Sequence, residues 1–211
     1  MRTGILWDLD GTLLDTLEDL KDAVNYALRL HGCPERSMEE VRQFVGNGAR
    51  KLILRAVDGR TDADAVLSDF RAYYNAHCQV KTRPYGGILD ALAELESKYS
   101  MAVVSNKPDS AVKSLCTRYF PGLYALGEQD GCPRKPAPDM VFRAMEAIGV
   151  DSCVYVGDSE VDVRTAKNAG VTCLSVLWGF RDKEALEAAG AGYICEKPEN
   201  LPEIIGKITG E

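Results

Sequence analysis

The stretch "WDLDGTLLD" (residues 7–15) carries two aspartates, Asp8 and Asp10, directly after an apolar run and before a Gly-Thr pair. Residues two apart in a strand point to the same face, so the two carboxylates are expected to lie close together. Two unit charges about 4 Å apart repel by about 4 kcal/mol at an effective dielectric near 20. A divalent cation, or a proton on one carboxyl group, relieves that repulsion. The pattern is typical both of a solvated strand end and of a site that handles phosphate.

Other polar residues close later apolar runs or lie on the loops between them: Ser105, Asn106, Lys135, Asp158 and Asp162. If the apolar runs are parallel strands, their carboxyl ends share one edge of the sheet, which is where such folds bind ligands. These residues, distant in the chain, are therefore predicted to form one site with Asp8 and Asp10.

The predicted site is rich in oxygen ligands, which favours Mg²⁺ as its cation. The predicted metal ligands are Asp8, Asp10, Asp158 and Asp162. Lys135 supplies a compact positive charge for a phosphate group and for an attacking carboxylate. Ser105 offers a hydroxyl group, and Asn106 begins the segment "NKPDS", which resembles a helix start with free backbone amides for an anion.

The chain has only two histidines, His31 and His77, both within helical patterns, which disfavours a histidine-based triad or a zinc hydrolase. An aspartate can instead attack phosphorus to form an aspartyl-phosphate. A second carboxylic acid then protonates the leaving alcohol and later deprotonates the hydrolytic water. Asp8 and Asp10 are candidates for these two tasks. The Thr12 hydroxyl group either supports the turn by hydrogen bonding or contacts the phosphate directly.

The elements that must position these residues alternate between short apolar runs and helical patterns. Predicted strands cover 4–10, 101–106, 123–126, 153–158 and 172–176, and helical patterns cover 87–99, 139–149 and 161–170. Continuous apolar runs joined by helices indicate an α/β fold with a doubly wound parallel sheet covered on both faces.

Residues 15–83 interrupt this alternation with about four helical patterns and no convincing strand. Ser37 and Glu40 have the spacing of a capping box at the start of one of these helices. The predicted organisation is a catalytic core formed by 1–14 and 84–211, with a helical cap domain over 15–83.

Composition restricts the possible partners. The 211 residues carry a net charge of −7, which disfavours binding to nucleic acid or to an anionic membrane. No stretch approaches the roughly 20 apolar residues of a membrane helix, and the N-terminus is typical of a strand, so we expect a cytoplasmic protein. The seven cysteines form no C-x-x-C pair and are interpreted as structural thiols. The expected partner is a small phosphorylated metabolite.

Four segments resemble the motifs of the haloacid dehalogenase-like superfamily, in order: "DLDGTLLD", "VVSNK", "RKPAPD" and "VGDSEVD". The resemblance implies that Asp8 is the nucleophile and Asp10 the general acid and base, with the Asp10 backbone carbonyl on the metal. It also implies that Asp8 and Asp158 bind Mg²⁺, with Asp162 a weaker candidate. Ser105 and Lys135 match the phosphate-holding residues, and 15–83 matches a helical cap inserted after the first motif.

Within the superfamily, "FVGNGARKLILRAV" (44–57) is similar to the phosphoglycolate phosphatase group, whose members act on small phosphomonoesters or, in some branches, pyrophosphate. Because the cap sets specificity in that group, Arg42, Asn47, Arg50 and Lys51 are candidates for contacting the far end of the substrate.

The same scaffold is compatible with other activities. A sugar phosphomutase uses the same two aspartates, and a pyrophosphatase is a further alternative. A dehalogenase or a phosphonate hydrolase would normally lack the acid at Asp10, although Lys51 is suitably placed for the Schiff base of the latter. A silent binding protein would typically lose the nucleophile or the metal carboxylates. The sequence therefore favours a magnesium-dependent phosphatase.

Overall fold

The computed structural model describes residues 2–210. The strands are β1 (Thr3–Trp7), β2 (Leu14–Asp15), β3 (Arg83–Pro84), β4 (Ser100–Pro108), β5 (Tyr124–Glu128), β6 (Ser152–Gly157), β7 (Thr172–Val176) and β8 (Tyr193–Cys195). The helices are α1 (Leu17–Leu30), α2 (Met38–Phe44), α3 (Ala49–Val57), α4 (Ala63–His77), α5 (Ile88–Glu96), α6 (Asp109–Tyr119), α7 (Asp139–Ile148), α8 (Glu160–Ala169), α9 (Lys183–Ala189) and α10 (Leu201–Thr209). A short 3₁₀ helix spans Pro198–Asn200.

Among the described residues, six strands form a parallel sheet in the order β5-β4-β1-β6-β7-β8. Alternate residues of β1 pack on opposite faces: Ile5 and Trp7 belong to one buried apolar cluster and Leu6 to another. Both faces are therefore covered, as the continuous apolar runs require. The predicted α/β fold with a doubly wound parallel sheet is confirmed.

The first strand ends at Trp7, three residues earlier than predicted. The Asp8 amide still donates to the Val156 carbonyl (2.8 Å), but the Leu9 carbonyl then accepts from the amides of residues 12, 13 and 14. This turn uses a positive φ of 81° at Gly11, a conformation that glycine adopts without strain. Asp8 and Asp10 consequently stand on a turn beyond the strand rather than in it.

Between β2 and β3 lies a four-helix segment, which we define as α1–α4 (Leu17–His77). Its interior is apolar, with Val24, Ile53 and Phe70 among its buried side chains. The capping box predicted for Ser37 and Glu40 is confirmed at the start of α2. Because β2 and β3 pair antiparallel, the chain enters and leaves the segment at adjacent points. The segment is thereby held over the carboxyl edge of the main sheet.

Each of the two histidines lies within hydrogen-bond distance of a residue on α4. His31 Nε2 lies 2.7 Å from an Asp69 oxygen, and His77 Nδ1 lies 2.8 Å from the Tyr73 carbonyl. All seven cysteines are free thiols. In the part of the chain that the structure describes, no helix combines the length and the apolar character that a membrane span requires.

Candidate active site

Asp8 lies at the carboxyl end of the central strand and is 8 % exposed. Its Oδ1 accepts from the Leu9 amide (2.7 Å) and lies 2.9 Å from Lys135 Nζ. Among residues 2–210, Oδ2 has no hydrogen-bond partner. Burial, together with the nearby Asp162 carboxylate, raises the pKa of Asp8 to about 7, although Lys135 opposes the shift. The site thus holds a buried carboxylate with one oxygen available.

Asp158 follows β6, beside the end of β1, and is fully buried. Its side chain lies between Gly11 and Gly179. A Cβ atom added to either glycine would come within 2.3 Å of an Asp158 atom, so a larger residue at these positions would clash with Asp158. Oδ2 accepts from the Phe180 amide (2.7 Å) and Oδ1 from the Thr12 hydroxyl group (3.3 Å). The Thr12 hydroxyl group thus bonds a carboxylate of the site rather than the turn itself, and its contact with phosphate stays a prediction.

Lys135 connects the acidic residues. Its Nζ lies 2.9 Å from Asp8 and donates to Asp162 Oδ1 (2.8 Å) and to the Tyr155 hydroxyl group (2.9 Å). The second Asp162 oxygen accepts from the Ser159 amide and hydroxyl group. Burial alone would lower the pKa of Lys135, but the carboxylates of Asp162 and Asp8 raise it well above its usual range. The lysine therefore stays protonated beside the candidate nucleophile.

The two residues predicted on β4 have different surroundings. Asn106 donates from Nδ2 to the Lys135 carbonyl (2.9 Å), and its Oδ1 accepts from the Lys135 amide (2.8 Å). Its amide group therefore fixes the backbone of the lysine. Ser105 lines the cavity, with its hydroxyl oxygen 3.3 Å from the Lys107 amide nitrogen. Both residues line the cavity, and their contacts with phosphate, through the Ser105 hydroxyl group and the backbone at Asn106, stay predictions.

Asp10 pairs with a lysine that the sequence analysis did not select. Lys107 Nζ lies 2.7 Å and 2.8 Å from the two Asp10 carboxylate oxygens, and the Thr16 hydroxyl group donates to Oδ1 at 2.7 Å. Lys107 is buried, with its Nζ 4.7 Å from the ring centroid of Tyr74 on α4. This contact links the second aspartate to the four-helix segment.

A cavity of about 50 Å³ lies between the loops at the carboxyl edge of the sheet and the four-helix segment. One water needs roughly 10–15 Å³ of such volume, so the cavity has room for roughly three to five waters. Asp8, Asp10, Ser105, Lys135 and Asp158 all line it. The structure thus brings these predicted residues to one place.

Two arginines hold the segment against the core. Arg42 on α2 donates to the Phe180 and Gly179 carbonyls, both at 3.0 Å. In the opposite direction, Arg181 donates to the Arg42 carbonyl (3.0 Å) and to the Val45 carbonyl (2.8 Å). Reciprocal contacts between the four-helix segment and the loop that follows β7 therefore border one side of the cavity.

The four segment residues predicted to meet the substrate do not line this cavity. Arg42 is committed to the core carbonyls, and Arg50 forms an exposed ion pair with Asp64 at 3.0 Å. Lys51 is exposed, and Asn47 is half-buried between two glycines that do line the cavity. The outward face of α3 carries Arg50 and Lys51, since the inward face is apolar.

The acidic residues fit a divalent cation. Asp8, Asp158 and Asp162 are buried and offer carboxylate oxygens that lie within 4.8 Å of one another. Burial, and then the neighbouring carboxylates of Asp162 and Asp8, raise the pKa of Asp158 well above its usual range. An all-oxygen donor set of this kind suits Mg²⁺. Asp162 is paired with the Lys135 ammonium through Oδ1 and bonded to Ser159 through Oδ2. Within the described residues, Asp8 Oδ2 accepts no hydrogen bond and Asp158 has no ion-pair partner, so these two are better placed as ligands.

The sequence analysis missed three residues at the site. Lys107 follows the two selected residues on β4, so strand-end position alone would have found it. Arg181 is the first charged residue after β7, and the same rule applied to that strand would have selected it. Tyr74 lies within a helical pattern as one of several aromatic residues, and nothing in the sequence distinguishes it.

Known proteins resemble this chain in sequence over most of its length. The family model described as haloacid dehalogenase-like hydrolase matches residues 5–176. "Phosphoglycolate phosphatase 1" of Pseudomonas aeruginosa is 34% identical over 191 residues, covering 83% of this chain and 70% of that protein. "Phosphoglycolate phosphatase" of Vibrio parahaemolyticus is 32% identical over 216 residues, covering 95% of each.

A crystal structure from Lactobacillus delbrueckii subsp. bulgaricus, assigned as a phosphoglycolate phosphatase, superposes with a TM-score of 0.89. It is 38% identical and covers 96% of this chain and 97% of that one. The resemblance inferred from the four motifs is therefore confirmed, and the chain belongs to the haloacid dehalogenase-like hydrolase family.

Proposed function

We propose that this chain hydrolyses a small phosphomonoester, of the size of phosphoglycolate, through an aspartyl-phosphate on Asp8. The observation that carries the proposal is the Asp8 carboxylate, which is buried, neutralised on one oxygen by Lys135, and free on the other. The free oxygen attacks phosphorus, and the leaving alcohol departs. Water then attacks the phosphorus of the aspartyl-phosphate and releases phosphate, restoring the carboxylate.

Asp10 is the proposed general acid and base. It lines the same cavity as Asp8, and Lys107 and Thr16 hold its carboxylate to one side. In the first step Asp10 gives a proton to the leaving oxygen, and in the second it takes one from the attacking water. Its side chain must turn from Lys107 toward the substrate oxygen to do so.

Mg²⁺ is the proposed cofactor, held by Asp8, Asp158 and the Asp10 backbone carbonyl, with Asp162 acting through Lys135. When bound, the cation neutralises negative charge on the phosphoryl group and on the carboxylates around it. Lys135 and the Ser105 hydroxyl group orient the remaining phosphoryl oxygens. Residues 15–83 are the proposed cap domain, which excludes water once the substrate is bound.

The lining of the cavity favours this activity over two alternatives. A hexose phosphate, which a sugar phosphomutase must hold, would bring several hydroxyl groups against the largely apolar wall that the four-helix segment contributes. Pyrophosphate would bring a second, highly charged phosphoryl group toward apolar residues of the four-helix segment. Neither glucose phosphate interconversion nor rapid pyrophosphate hydrolysis is therefore expected.

Metal removal tests the role of the carboxylates. We expect a chelator to reduce phosphate release from small phosphomonoesters to background, and excess Mg²⁺ to restore it. Phosphate release is measured before and after chelation, with the folded state checked by circular dichroism. Full activity in metal-free protein would contradict the proposed role of the cation.

The raised pKa of Asp8 predicts how metal binding depends on pH. Asp8 has a pKa of about 7 in the folded protein and of about 3.9 in the unfolded chain. Between roughly pH 4 and 7, the metal-free folded protein therefore retains a proton that the unfolded chain has released. Stability of the metal-free protein therefore falls as pH rises through that window. Mg²⁺ competes with this proton, so the Mg²⁺-induced rise in Tm should be larger at pH 8 than at pH 5.5. An equal or smaller rise at pH 8 would count against Asp8 as a ligand.

A further inference from the structure

Within residues 2–210, three cationic side chains line the cavity: Lys107, Lys135 and Arg181. Lys135 is shared by two carboxylates of the core. Arg181 pairs with Glu160 at 3.0 Å and also donates to backbone carbonyls of the four-helix segment. Lys107 differs from both, because among the same residues its one carboxylate partner is Asp10, whose oxygens lie 2.7 Å and 2.8 Å from Nζ. The charge of Lys107 therefore depends on a single counter-ion.

The proposed role of Asp10 requires this ion pair to open. To reach the leaving oxygen, Asp10 turns away from Lys107, and the ammonium group stays behind in the wall of the cavity. Lys107 is only 5% exposed. A buried charge that has lost its partner is strongly unfavourable. The turn of Asp10 is therefore costly unless another anion takes its place beside Lys107.

A second group beside Lys107 also lacks a partner. Tyr74 on α4 lines the cavity, and its ring centroid lies 4.7 Å from Lys107 Nζ. The Tyr74 hydroxyl group is buried and, within the described part of the chain, has no hydrogen-bond partner. Buried polar groups normally have partners, so this hydroxyl group indicates that a bound molecule supplies one. The four-helix segment otherwise lines the cavity with glycines and with the apolar side chains of Leu20, Val45, Ala49, Leu52 and Phe70.

One ammonium group and one hydroxyl group match a carboxylate. A carboxylate carries a single charge on two oxygens, so one oxygen accepts from Lys107 and the other from Tyr74. A second phosphoryl group carries nearly two charges at pH 7 and would be only partly neutralised there. An uncharged carboxamide would leave the ammonium group without a counter-ion. The two donors therefore select one negative charge at the far end of the substrate.

We propose that Lys107 and Tyr74 bind a carboxylate at the far end of the substrate, and that this carboxylate replaces Asp10 as the partner of Lys107. The exchange frees Asp10 to give its proton to the leaving oxygen. An ester without the far carboxylate leaves Asp10 paired with Lys107. The proposal rests on the phosphatase activity proposed above and names the residues that select its substrate, a phosphomonoester of a small hydroxy acid.

Two nearly isosteric esters test the need for the far charge. 2-Phosphoglycolate and its amide differ mainly in that charge, and we expect kcat/KM to be about 10-fold or more higher for 2-phosphoglycolate. In single turnovers at saturating ester, stopped by rapid quench, the alcohol should also leave faster from 2-phosphoglycolate, because the carboxylate frees Asp10. Equal kcat/KM values, or equal rates at saturation, would overturn this inference and leave the phosphatase intact. No phosphate release from either ester would instead overturn the proposed function.

Lys107→Met tests the assignment to this lysine. The variant keeps the length of the side chain and removes its charge, so we expect the ratio of the two kcat/KM values to fall to about 1. Lys113→Met, on the exposed side of α6, is the matched control and should keep the wild-type ratio. An unchanged ratio in a folded Lys107→Met protein would place the far carboxylate elsewhere, such as at the first turn of α3, and would overturn the inference.

Tyr74→Phe provides a second test that does not depend on a buried ion pair. It removes a hydroxyl group that has no partner in the protein, so we expect Tm to stay equal or to rise. The preference for 2-phosphoglycolate over its amide should fall by about 3-fold or more. Tyr26→Phe, on α1 and outside the cavity, is the control and should keep the preference. An unchanged preference in Tyr74→Phe overturns the inference whether or not Lys107→Met folds.

Discussion

Replacement of Asp8 by asparagine is expected to reduce phosphate release by on the order of 10⁴-fold or more, to the level of background hydrolysis. The substitution keeps the size of the side chain and removes the anionic oxygen that attacks phosphorus. The neutral amide group also lacks the charge attraction to Lys135, whose Nζ lies 2.9 Å from the native carboxylate. Initial rates with saturating Mg²⁺ provide the measurement.

Asp90→Asn is the matched control for this change, because Asp90 is exposed on α5 and does not line the cavity. Its activity should equal that of the wild type. The Asp8 variant must be purified free of other phosphatases and assayed fresh, since deamidation of asparagine would regenerate the native residue. More than a few per cent of wild-type activity in such a preparation would contradict a covalent route.

Replacement of Lys135 by methionine is expected to lower both activity and stability. The lysine is 2% exposed and provides the positive charge shared by Asp8 and Asp162. Removing one partner of a buried ion pair typically costs about 3–5 kcal/mol in the free energy of unfolding. The loss should be smaller at pH 5 than at pH 8, because the carboxyl groups left unpaired take up protons as the pH falls.

Urea unfolding of Lys135→Met at the two pH values measures this loss, and Lys113→Met is the control. Lys113 is more than half exposed and pairs with Asp109 on the same helix, so its removal should change stability by less than about 1 kcal/mol. Wild-type activity in Lys135→Met would show that the phosphoryl group does not need this charge. An equal loss of stability in both variants would show that the buried pairing is energetically unimportant.

The positions of the site residues were predictable because they depend on topology alone. Continuous apolar runs specified parallel strands, and parallel strands bring the residues that follow them to one edge. Asp8 and Asp158 follow β1 and β6, neighbours in the sheet, and Lys135 lies on a loop at the same edge. The order of these motifs along the chain was enough to identify the family.

The directions of the side chains were not predictable, since they depend on turns and on packing between distant segments. Asn106 follows the strand as expected, yet its amide group binds the Lys135 backbone. Arg42 binds carbonyls of a loop that is distant in the chain, at Gly179 and Phe180, a contact that no local pattern specifies. Tyr74 reaches the cavity only because of the way α4 packs over the core.

The most direct test of the account is to trap the phosphorylated residue. Acetyl phosphate has a leaving group that needs no proton, so an Asp10→Asn protein should still transfer its phosphoryl group to Asp8 but fail to activate the hydrolytic water. After an acid quench and digestion with pepsin at low pH, at which acyl phosphates survive, we expect one added phosphoryl group on the peptide that contains Asp8, located at Asp8 by fragmentation and absent from the Asp8→Asn, Asp10→Asn double variant. An unmodified peptide, or a phosphoryl group on any other residue, in a preparation whose wild type hydrolyses acetyl phosphate, would contradict it.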